Sequence, residues 1–216
     1  MQYTKIKNKS LQNVMCMPHI QPGMKIGLFG GTFDPPHYGH IAIANIALTK
    51  LGLDQLWWII TPSHSFKDYS SQPSLSERIA LSTKLVKNPY IHITAFEASH
   101  NYTHTFNTIC QVKSRSKSVQ FVWIMGADNI KTFHQWHHWK RLVRTVPIAI
   151  IDRFDTTLNY ISSPMAKAFN YARLDESLSN TLCNKSPPAW IFIHNRHYII
   201  SSTILRKQKI HKNNFA

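Results

Sequence analysis

Residues 25–60 read KIGLFGGTFDPPHYGHIAIANIALTKLGLDQLWWII, and this stretch decides the fold class. It begins with a short apolar run that ends at two glycines, which is typical of a buried strand that breaks into a tight loop. From Gly39 to Leu51 the apolar residues recur at helical spacing, and Gly52 supplies a C-terminal stop. Residues 56–60 are apolar throughout, as expected of a parallel strand that is covered on both faces. The stretch therefore predicts a strand, a helix and a second, parallel strand.

The same alternation continues along the rest of the chain. Further strands are predicted at residues 91–95, 120–125, 146–151 and 190–193, further helices at 75–86, 105–112 and 166–173, and a loop at 174–188. This alternation is typical of an α/β protein with a Rossmann-like, doubly wound and mostly parallel sheet, which binds ligands beyond the carboxyl ends of its strands. We expect a single domain over residues 24–210, preceded by a disordered extension over the polar, basic residues 1–23.

The charge of the chain is strongly unbalanced. Its 216 residues include 25 Lys and Arg against 10 Asp and Glu, which gives a formal net charge of +15. Such an excess fits either a nucleic-acid partner or a surface that attracts small phosphorylated molecules. The basic residues do not form one dense run, which favours the small molecules. We therefore expect no stable nucleic-acid partner.

The cysteines bear on the compartment of the protein. Cys16, Cys110 and Cys183 lie far apart and form no Cys-x-x-Cys pair, which favours a reducing compartment and argues against a disulfide or zinc framework. No segment approaches the roughly 20 apolar residues that span a bilayer. The expectation is a cytoplasmic protein with no membrane segment, and the sequence leaves open whether it forms a homo-oligomer.

The loop after the first strand carries the clearest chemistry. Gly30 and Gly31 place no side chain between the backbone amides and a ligand, so a phosphate can come close. His37 and His40 stand three residues apart at the helix start, where both imidazoles can share one face near the positive helix end. Phosphate oxygens are natural partners for such a pair. The alternative is that both histidines only cap and solvate the helix.

Several segments, taken in chain order, resemble one family. They are GGTFDPPHYGH at 30–40, Thr61-Pro62 with Lys67, YTHT at 102–105, FVWIMGADN at 121–129 with the aromatic residues 133, 136 and 139, and SSTILR at 201–206. They are similar to the motifs of the bacterial nicotinate-nucleotide adenylyltransferases, in the nucleotidyltransferase superfamily with a His-x-Gly-His motif. The resemblance, which covers residues 24–206, implies an enzyme that transfers the adenylyl group of ATP to nicotinate mononucleotide. The products would be deamido-NAD and pyrophosphate, in NAD biosynthesis.

The resemblance also implies which residues bind each substrate. ATP would be bound by Gly30, Gly31, Thr32, Phe33, His37, His40, Gly126, Asp128, Ser201, Ser202 and Arg206, and the mononucleotide by Thr32, Lys67, Thr103 and Trp136. The 5′-phosphate of the mononucleotide is itself a nucleophile, so His37, His40 and Arg206 would be catalytic by stabilising charge on the triphosphate. Mg²⁺ would arrive with ATP, and no protein metal site is expected.

Some of these residues allow a second interpretation. Asp128 could bind the ribose hydroxyls of ATP or cap the helical turn that follows it. Trp136 is assigned by the resemblance to stacking on the pyridine ring, while Trp139 is assigned to packing. His134 and His138 stand four residues apart, but no third ligand is evident nearby, so we expect no metal there.

Two positions depart from the family pattern. His104 stands where the family usually has Asp, and Phe106 stands where it usually has Leu. An Asp there would most simply hold its own loop in place. The change therefore puts the local hydrogen bonding in doubt more than the reaction.

Rival functions remain. An adenylyltransferase of the same fold could act on nicotinamide mononucleotide or phosphopantetheine, and the Thr103 and Trp136 elements favour nicotinate mononucleotide over these. A rival of another class is a non-catalytic nucleotide- or RNA-binding protein. Intact His37, His40 and Arg206 favour catalysis.

Overall fold

The computed structural model describes residues 13–62, 73–100, 104–152 and 160–195. Within these residues, seven parallel strands form one sheet in the order β3-β2-β1-β4-β5-β7-β6. The strands are β1 (Lys25–Gly31), β2 (Gln55–Ile60), β3 (Ile91–Thr94), β4 (Gln120–Gly126), β5 (Ile148–Ile151), β6 (Arg173–Leu174) and β7 (Trp190–Ile193). The predicted single-domain α/β fold with a Rossmann-like, mostly parallel sheet is confirmed.

Helices connect these strands. The α-helices are α1 (Tyr38–Leu51), α2 (Leu75–Leu85), α3 (Phe96–Ser99), α4 (Thr105–Arg115), α5 (Trp139–Val143) and α6 (Pro164–Ala168). Short 3₁₀ helices lie at Ala127–Lys131, Phe133–Gln135, Asn170–Ala172 and Glu176–Asn184. Gly52 ends α1 in the left-handed conformation, at φ 61°, as its position in the sequence predicted. Every strand and helix predicted before residue 152 forms, with ends shifted by three residues or fewer.

Strand β2 shows that the sheet is covered on both faces. All six of its residues are buried, and the neighbouring Trp57 and Trp58 belong to two different core clusters. Successive side chains of a strand point to opposite faces, so the two indoles fill the layers above and below the sheet. The continuous apolar run from 56 to 60 reflects this double burial.

The strand order places a crevice at the centre of the sheet. Strand β1 pairs with β2 on one side and with β4 on the other. The chain runs outward from β1 through β2 to β3, then returns to β4 and continues through β5. A reversal of this kind opens a crevice beyond the carboxyl ends of the two central strands, which are Gly31 and Gly126 here.

The helix predicted at residues 166–173 is wrong at both ends. Helix α6 begins at Pro164, where the missing N–H costs nothing, and Ser163 caps it by accepting from Ala166 N at 3.2 Å. Arg173 lies instead in β6, which pairs with β7 at the edge of the sheet. The predicted loop at 174–188 contains the 3₁₀ helix Glu176–Asn184. A two-residue strand is too short to show periodicity, so only the pairing with β7 defines it.

Residues 13–23 differ from the expected disordered extension. Val14 O accepts hydrogen bonds from Ala95 N at 2.7 Å and from Thr94 Oγ1 at 3.1 Å, and Gly23 N donates to Ser118 O at 2.8 Å. Hydrogen bonds therefore hold the segment at Val14, beside the end of β3, and at Gly23, next to Ser118 just before β4, and its polar composition did not indicate them. Residues 1–12 lie outside the described residues.

The cysteine thiols are reduced in the described part of the chain. None of the three cysteines, all of which lie in the described ranges, takes part in a disulfide, and Cys183 is buried. Burial raises the pKa of the Cys183 thiol to about 11.

In the described part of the chain, no helix combines the length and apolar character needed to cross a bilayer.

Candidate active site at the carboxyl ends of β1 and β4

The start of α1 brings the two histidines together. His37 is the N-cap of α1, and its backbone N–H donates to His40 Nδ1 at 3.3 Å. The two imidazole rings stack with their centroids 3.8 Å apart and their planes at 27°. The spacing of three residues predicted such a shared face. The backbone N–H bond needs an unprotonated Nδ1, so the neutral His40 ring carries its proton on Nε2 and can donate from there.

The His40 ring packs against an aromatic cluster formed by Phe33 and Trp58. Phe33 stacks on Trp58 with centroids 4.2 Å apart, and His40 lies edge-on to Phe33 at 5.0 Å. Phe33 adopts φ 47°, a rare conformation for a side chain of this size, and is only 3% exposed. Because the ring is buried, the ATP contact predicted at Phe33 would have to be made by its backbone. The strained turn is held because the phenyl ring fills the space between Trp58 and His40.

Gly30 is required by close packing rather than by its backbone angles. A Cβ atom built on Gly30 would lie 2.5 Å from Cη2 of Trp123, which comes from the neighbouring strand β4. On Gly31 it would meet the Phe33 ring at 3.3 Å, which is tight but less severe. The absence of a side chain at Gly30, within β1, therefore leaves room for the Trp123 ring.

We expect Gly30→Ala to destabilise the fold by about 1–3 kcal/mol, because the added methyl group must displace the buried Trp123 ring. Urea denaturation would measure the loss. Gly31→Ala is the matched control and should cost less, since only the edge of the Phe33 ring must yield. Equal losses for the two variants would contradict the assigned role of Trp123.

Asp128 lies on the other side of the crevice. Strand β4 ends at Gly126, and Asp128 is the second residue of the 3₁₀ helix Ala127–Lys131. The N-cap of that helix is Gly126, so the interpretation of Asp128 as the capping residue is wrong. Its side chain is exposed, as a carboxylate that binds the hydroxyls of a ribose must be before the ligand arrives.

Trp136 and Trp139 both rest on Phe133. Trp136 is half-buried, with its ring centroid 5.1 Å from Phe133 and 6.4 Å from Trp123. Trp139 lies between Phe133 and Phe169, at 6.2 Å and 6.0 Å, which confirms its assignment to packing. The Trp123 ring packs against Gly30 on one side and near Trp136 on the other. One indole therefore connects the end of β1 to the residue predicted to stack on the pyridine ring.

His104 takes part in a row of imidazoles. Its ring stacks on His137 at 4.5 Å, and His137 lies 3.8 Å from His138. Partial desolvation lowers the pKa of His138, and the charges of His137, Arg141 and His104 lower it further. His104, at the position where the family usually has Asp, is thus held by stacking on His137. Across the described residues, no three His, Cys, Asp or Glu side chains are grouped so that they could hold a metal ion.

Five predicted site residues lie outside the described residues. They are Lys67, Thr103, Ser201, Ser202 and Arg206. Their assignments stay predictions. Thr32, which precedes Phe33 in the loop, is described and half-buried.

Arg78 and Glu97 are buried ionisable side chains that were not singled out from the sequence. Arg78 of α2 is 2% exposed and donates through Nη1 to Thr32 O at 2.7 Å and to Thr61 O at 2.8 Å. Glu97 of α3 is 4% exposed and accepts a hydrogen bond from Thr108 Oγ1. Burial raises the pKa of Glu97 to about 7, although the Thr108 hydrogen bond opposes the shift. Charged side chains on short amphipathic segments normally face solvent, so no local signal indicated their burial.

The fold and the loop are those of the cytidylyltransferase-like class, since residues 28–208 match the sequence model of that family. Two curated relatives narrow the class. The chain is 51% identical over 183 residues to the probable nicotinate-nucleotide adenylyltransferase of Agrobacterium fabrum, covering 85% of this chain and 98% of that protein. It is 48% identical over 191 residues to the protein of the same name from Mesorhizobium japonicum, covering 88% and 98%. The chain belongs to the nicotinate-nucleotide adenylyltransferase family.

A solved structure agrees with this at the level of the fold. The chain is similar to a nicotinic acid mononucleotide adenylyltransferase of Plasmodium falciparum, which was solved in complex with NaAD. The TM-score is 0.64 at 22% sequence identity, and the match covers 85% of this chain and 83% of the other. At this identity the likeness shows a shared fold.

Proposed function

We propose that this protein, acting in the cytoplasm through a domain that spans residues 24–210, transfers the adenylyl group of ATP to nicotinate mononucleotide. The products are nicotinate adenine dinucleotide and pyrophosphate. The observation that carries the proposal is the stacked pair of His37 and His40 at the start of α1, beside Gly30-Gly31 at the switch point of the sheet. The family membership and the half-buried Trp136 support the pyridine nucleotide as the acceptor.

The proposed reaction is an in-line displacement at phosphorus. A 5′-phosphate oxygen of the mononucleotide attacks the α-phosphorus of ATP, and the bond to the bridging oxygen breaks as pyrophosphate leaves. The attacking phosphate is already ionised, so the protein needs no Ser or Cys nucleophile. Its task is to hold two polyanions together and to stabilise the charge that grows on the bridging oxygen.

His37 and His40 supply part of that stabilisation. The Nε2–H of His40 would donate to a triphosphate oxygen, while the stacked His37 ring limits the rotation of its neighbour. The N-terminus of α1 favours negative charge at the same place. We propose that Ser201, Ser202 and Arg206 complete the phosphate site, and that Asp128 binds the ribose of ATP.

Mg²⁺ fits this site as a partner of the nucleotide. The described residues hold no cluster of three metal-ligating side chains, and the nearby Asp128 is exposed. We propose that the cation arrives with ATP and is held mainly by its phosphates and by water. When bound, it would neutralise charge on the transferring phosphates.

On the acceptor side, we propose that Trp136 stacks on the pyridine ring. Its ring is half-buried against Phe133 and Trp123, which leaves it partly exposed beside the crevice. Thr32, Lys67 and Thr103 would hold the remainder of the mononucleotide. A stack on a pre-formed aromatic surface costs little conformational entropy, since the indole is already fixed by its neighbours.

The test is a panel of acceptors. We expect pyrophosphate release from ATP to be fastest with nicotinate mononucleotide, slower with nicotinamide mononucleotide, and absent with phosphopantetheine. Trp136→Ala should raise the KM for the mononucleotide more than the KM for ATP, and Trp139→Ala serves as its packing control. Equal turnover with all three acceptors would contradict the substrate assignment. Binding of RNA at physiological salt without turnover of any acceptor would favour the non-catalytic rival.

A further inference from the structure

Arg78 joins the phosphate loop to the end of the neighbouring strand. A single nitrogen, Nη1, donates to Thr32 O in the loop after β1 and to Thr61 O just beyond β2, at 2.7 Å and 2.8 Å. The backbone N–H of Thr61 donates to Gly31 O at 3.0 Å. The guanidinium therefore extends the pairing of β1 with β2 by one further connection, at the point where the two strands separate.

The position of Arg78 is itself fixed by the start of α2. Ser74 and Glu77 form a capping box in which Ser74 N donates to Glu77 Oε2 at 2.7 Å and Glu77 N donates to Ser74 Oγ at 3.3 Å. Arg78 follows directly and lies in the buried face of the helix with Ile79 and Ser82. The capping box restricts the motion of the first turn, so α2 holds the Arg78 guanidinium in a fixed position.

The loop held by this bridge is the one that orients the paired histidines. Thr32 precedes Phe33, which has φ 47° and packs against His40. A buried carbonyl that loses its hydrogen-bond partner is destabilising, so the turn would rearrange until Thr32 O meets water. Any such movement shifts the Phe33 ring, and with it the imidazole of His40.

We propose that Arg78 is a positioning residue for phosphoryl transfer. It holds Thr32 O and Thr61 O together, and so keeps the strained Phe33 turn and His40 in the arrangement that the transition state needs. The inference rests on the proposed function, because its kinetic consequence requires the adenylyl-transfer reaction. Arg78 acts through the loop backbone and not through contact with the reacting atoms.

The kinetic test compares Arg78→Met, Arg78→Lys and Lys84→Met, an exposed position on the same helix. Per folded protein, Arg78→Met should lower kcat by about tenfold to a hundredfold, because misplaced groups lose effective concentration in the transition state. KM for each substrate should change by less than about threefold. Arg78→Lys should fall in between, since both bonds come from one nitrogen and an ammonium group that reaches this point can make them. Lys84→Met should match the wild type.

Hydrogen exchange gives a readout that does not depend on activity. The amides of residues 30–34 should exchange faster in Arg78→Met than in Lys84→Met, while those of β5 stay unchanged. Should the methionine variant not fold, the lysine variant is compared with the wild type in the same two measurements. Wild-type kcat and exchange in the Arg78 variants would overturn the inference. Faster exchange in Arg78→Met, together with a wild-type protein that turns over no acceptor, would refute the proposed function and leave the loop bridge intact.

Discussion

His40→Ala should lower kcat by about a hundredfold to a thousandfold, with a smaller effect on the KM for ATP. The expectation follows from the bond between His37 N–H and His40 Nδ1, which leaves Nε2–H as the donor of the neutral ring. A donor that meets the triphosphate as charge develops contributes mainly in the transition state, so its loss appears in kcat. Steady-state release of pyrophosphate measures both constants.

Two further variants separate this role from a structural one. His40→Asn retains an acceptor near the position of Nδ1 and so can preserve the bond to His37 N–H, but it has no Nε2 donor. We expect it to lose nearly as much kcat as His40→Ala but to unfold at a higher temperature than His40→Ala, because it keeps the bond to His37 N–H. His92→Ala changes an exposed histidine of β3 and should be silent. A His40→Ala rate within about tenfold of the wild type, or 1.4 kcal/mol, would refute the assigned role.

Glu97→Gln should stabilise the protein at alkaline pH and leave it nearly unchanged in acid. Burial raises the pKa of Glu97 from 4.5 to about 7 in the folded state. The folded chain therefore retains a proton that the unfolded chain has lost between these two values. Stability from the protonated carboxyl is fully present below about pH 4.5 and is lost as the pH rises through 7. The loss is on the order of 3 kcal/mol over this window, at about 1.4 kcal/mol per pH unit.

Urea denaturation at intervals from pH 4.5 to pH 8.5 tests this. The unfolding free energy of the wild type should fall relative to that of Glu97→Gln as the pH rises, because the amide stays neutral throughout. Thr108→Val is the second variant: the Thr108 hydroxyl stabilises the ionised carboxylate, so its removal should move the transition to higher pH. Parallel curves for the wild type and Glu97→Gln would show that the carboxyl ionises freely in the folded chain.

These two predictions concern different parts of the fold. His40 lies in the first turn of α1, whereas Glu97 joins α3 to α4 beyond the end of β3. Trp123 of β4 lies between the glycine loop and Trp136, so a change at Gly30 could affect both proposed substrate sites. Because Glu97 lies after β3 and away from these residues, Glu97→Gln should leave the acceptor preference intact, which the acceptor panel can check.

Much of the site could be predicted because its signals are local. The order of strand, glycine pair and helix, and the spacing of His37 and His40, depend on residues within one short segment. Backbone periodicity and helix geometry then place both imidazoles on one face. The tendency of helical tryptophans to pack also predicted the role of Trp139, which lies half-buried between Phe133 and Phe169. Periodicity failed for β6, whose two residues have no period of their own.

The amino-acid sequence by itself determined the α/β class, the phosphate loop and its paired histidines, because these depend on short-range spacing. Only the tertiary structure decided which distant groups support them. Arg78 meets Thr32 across 46 positions of the chain, and Trp123 reaches the space beside Gly30 because β4 pairs with β1. Such contacts depend on the order of strands in the sheet, which no local pattern encodes. The burial of Arg78 and Glu97, and hence the pKa of Glu97 near 7, follows from that packing alone.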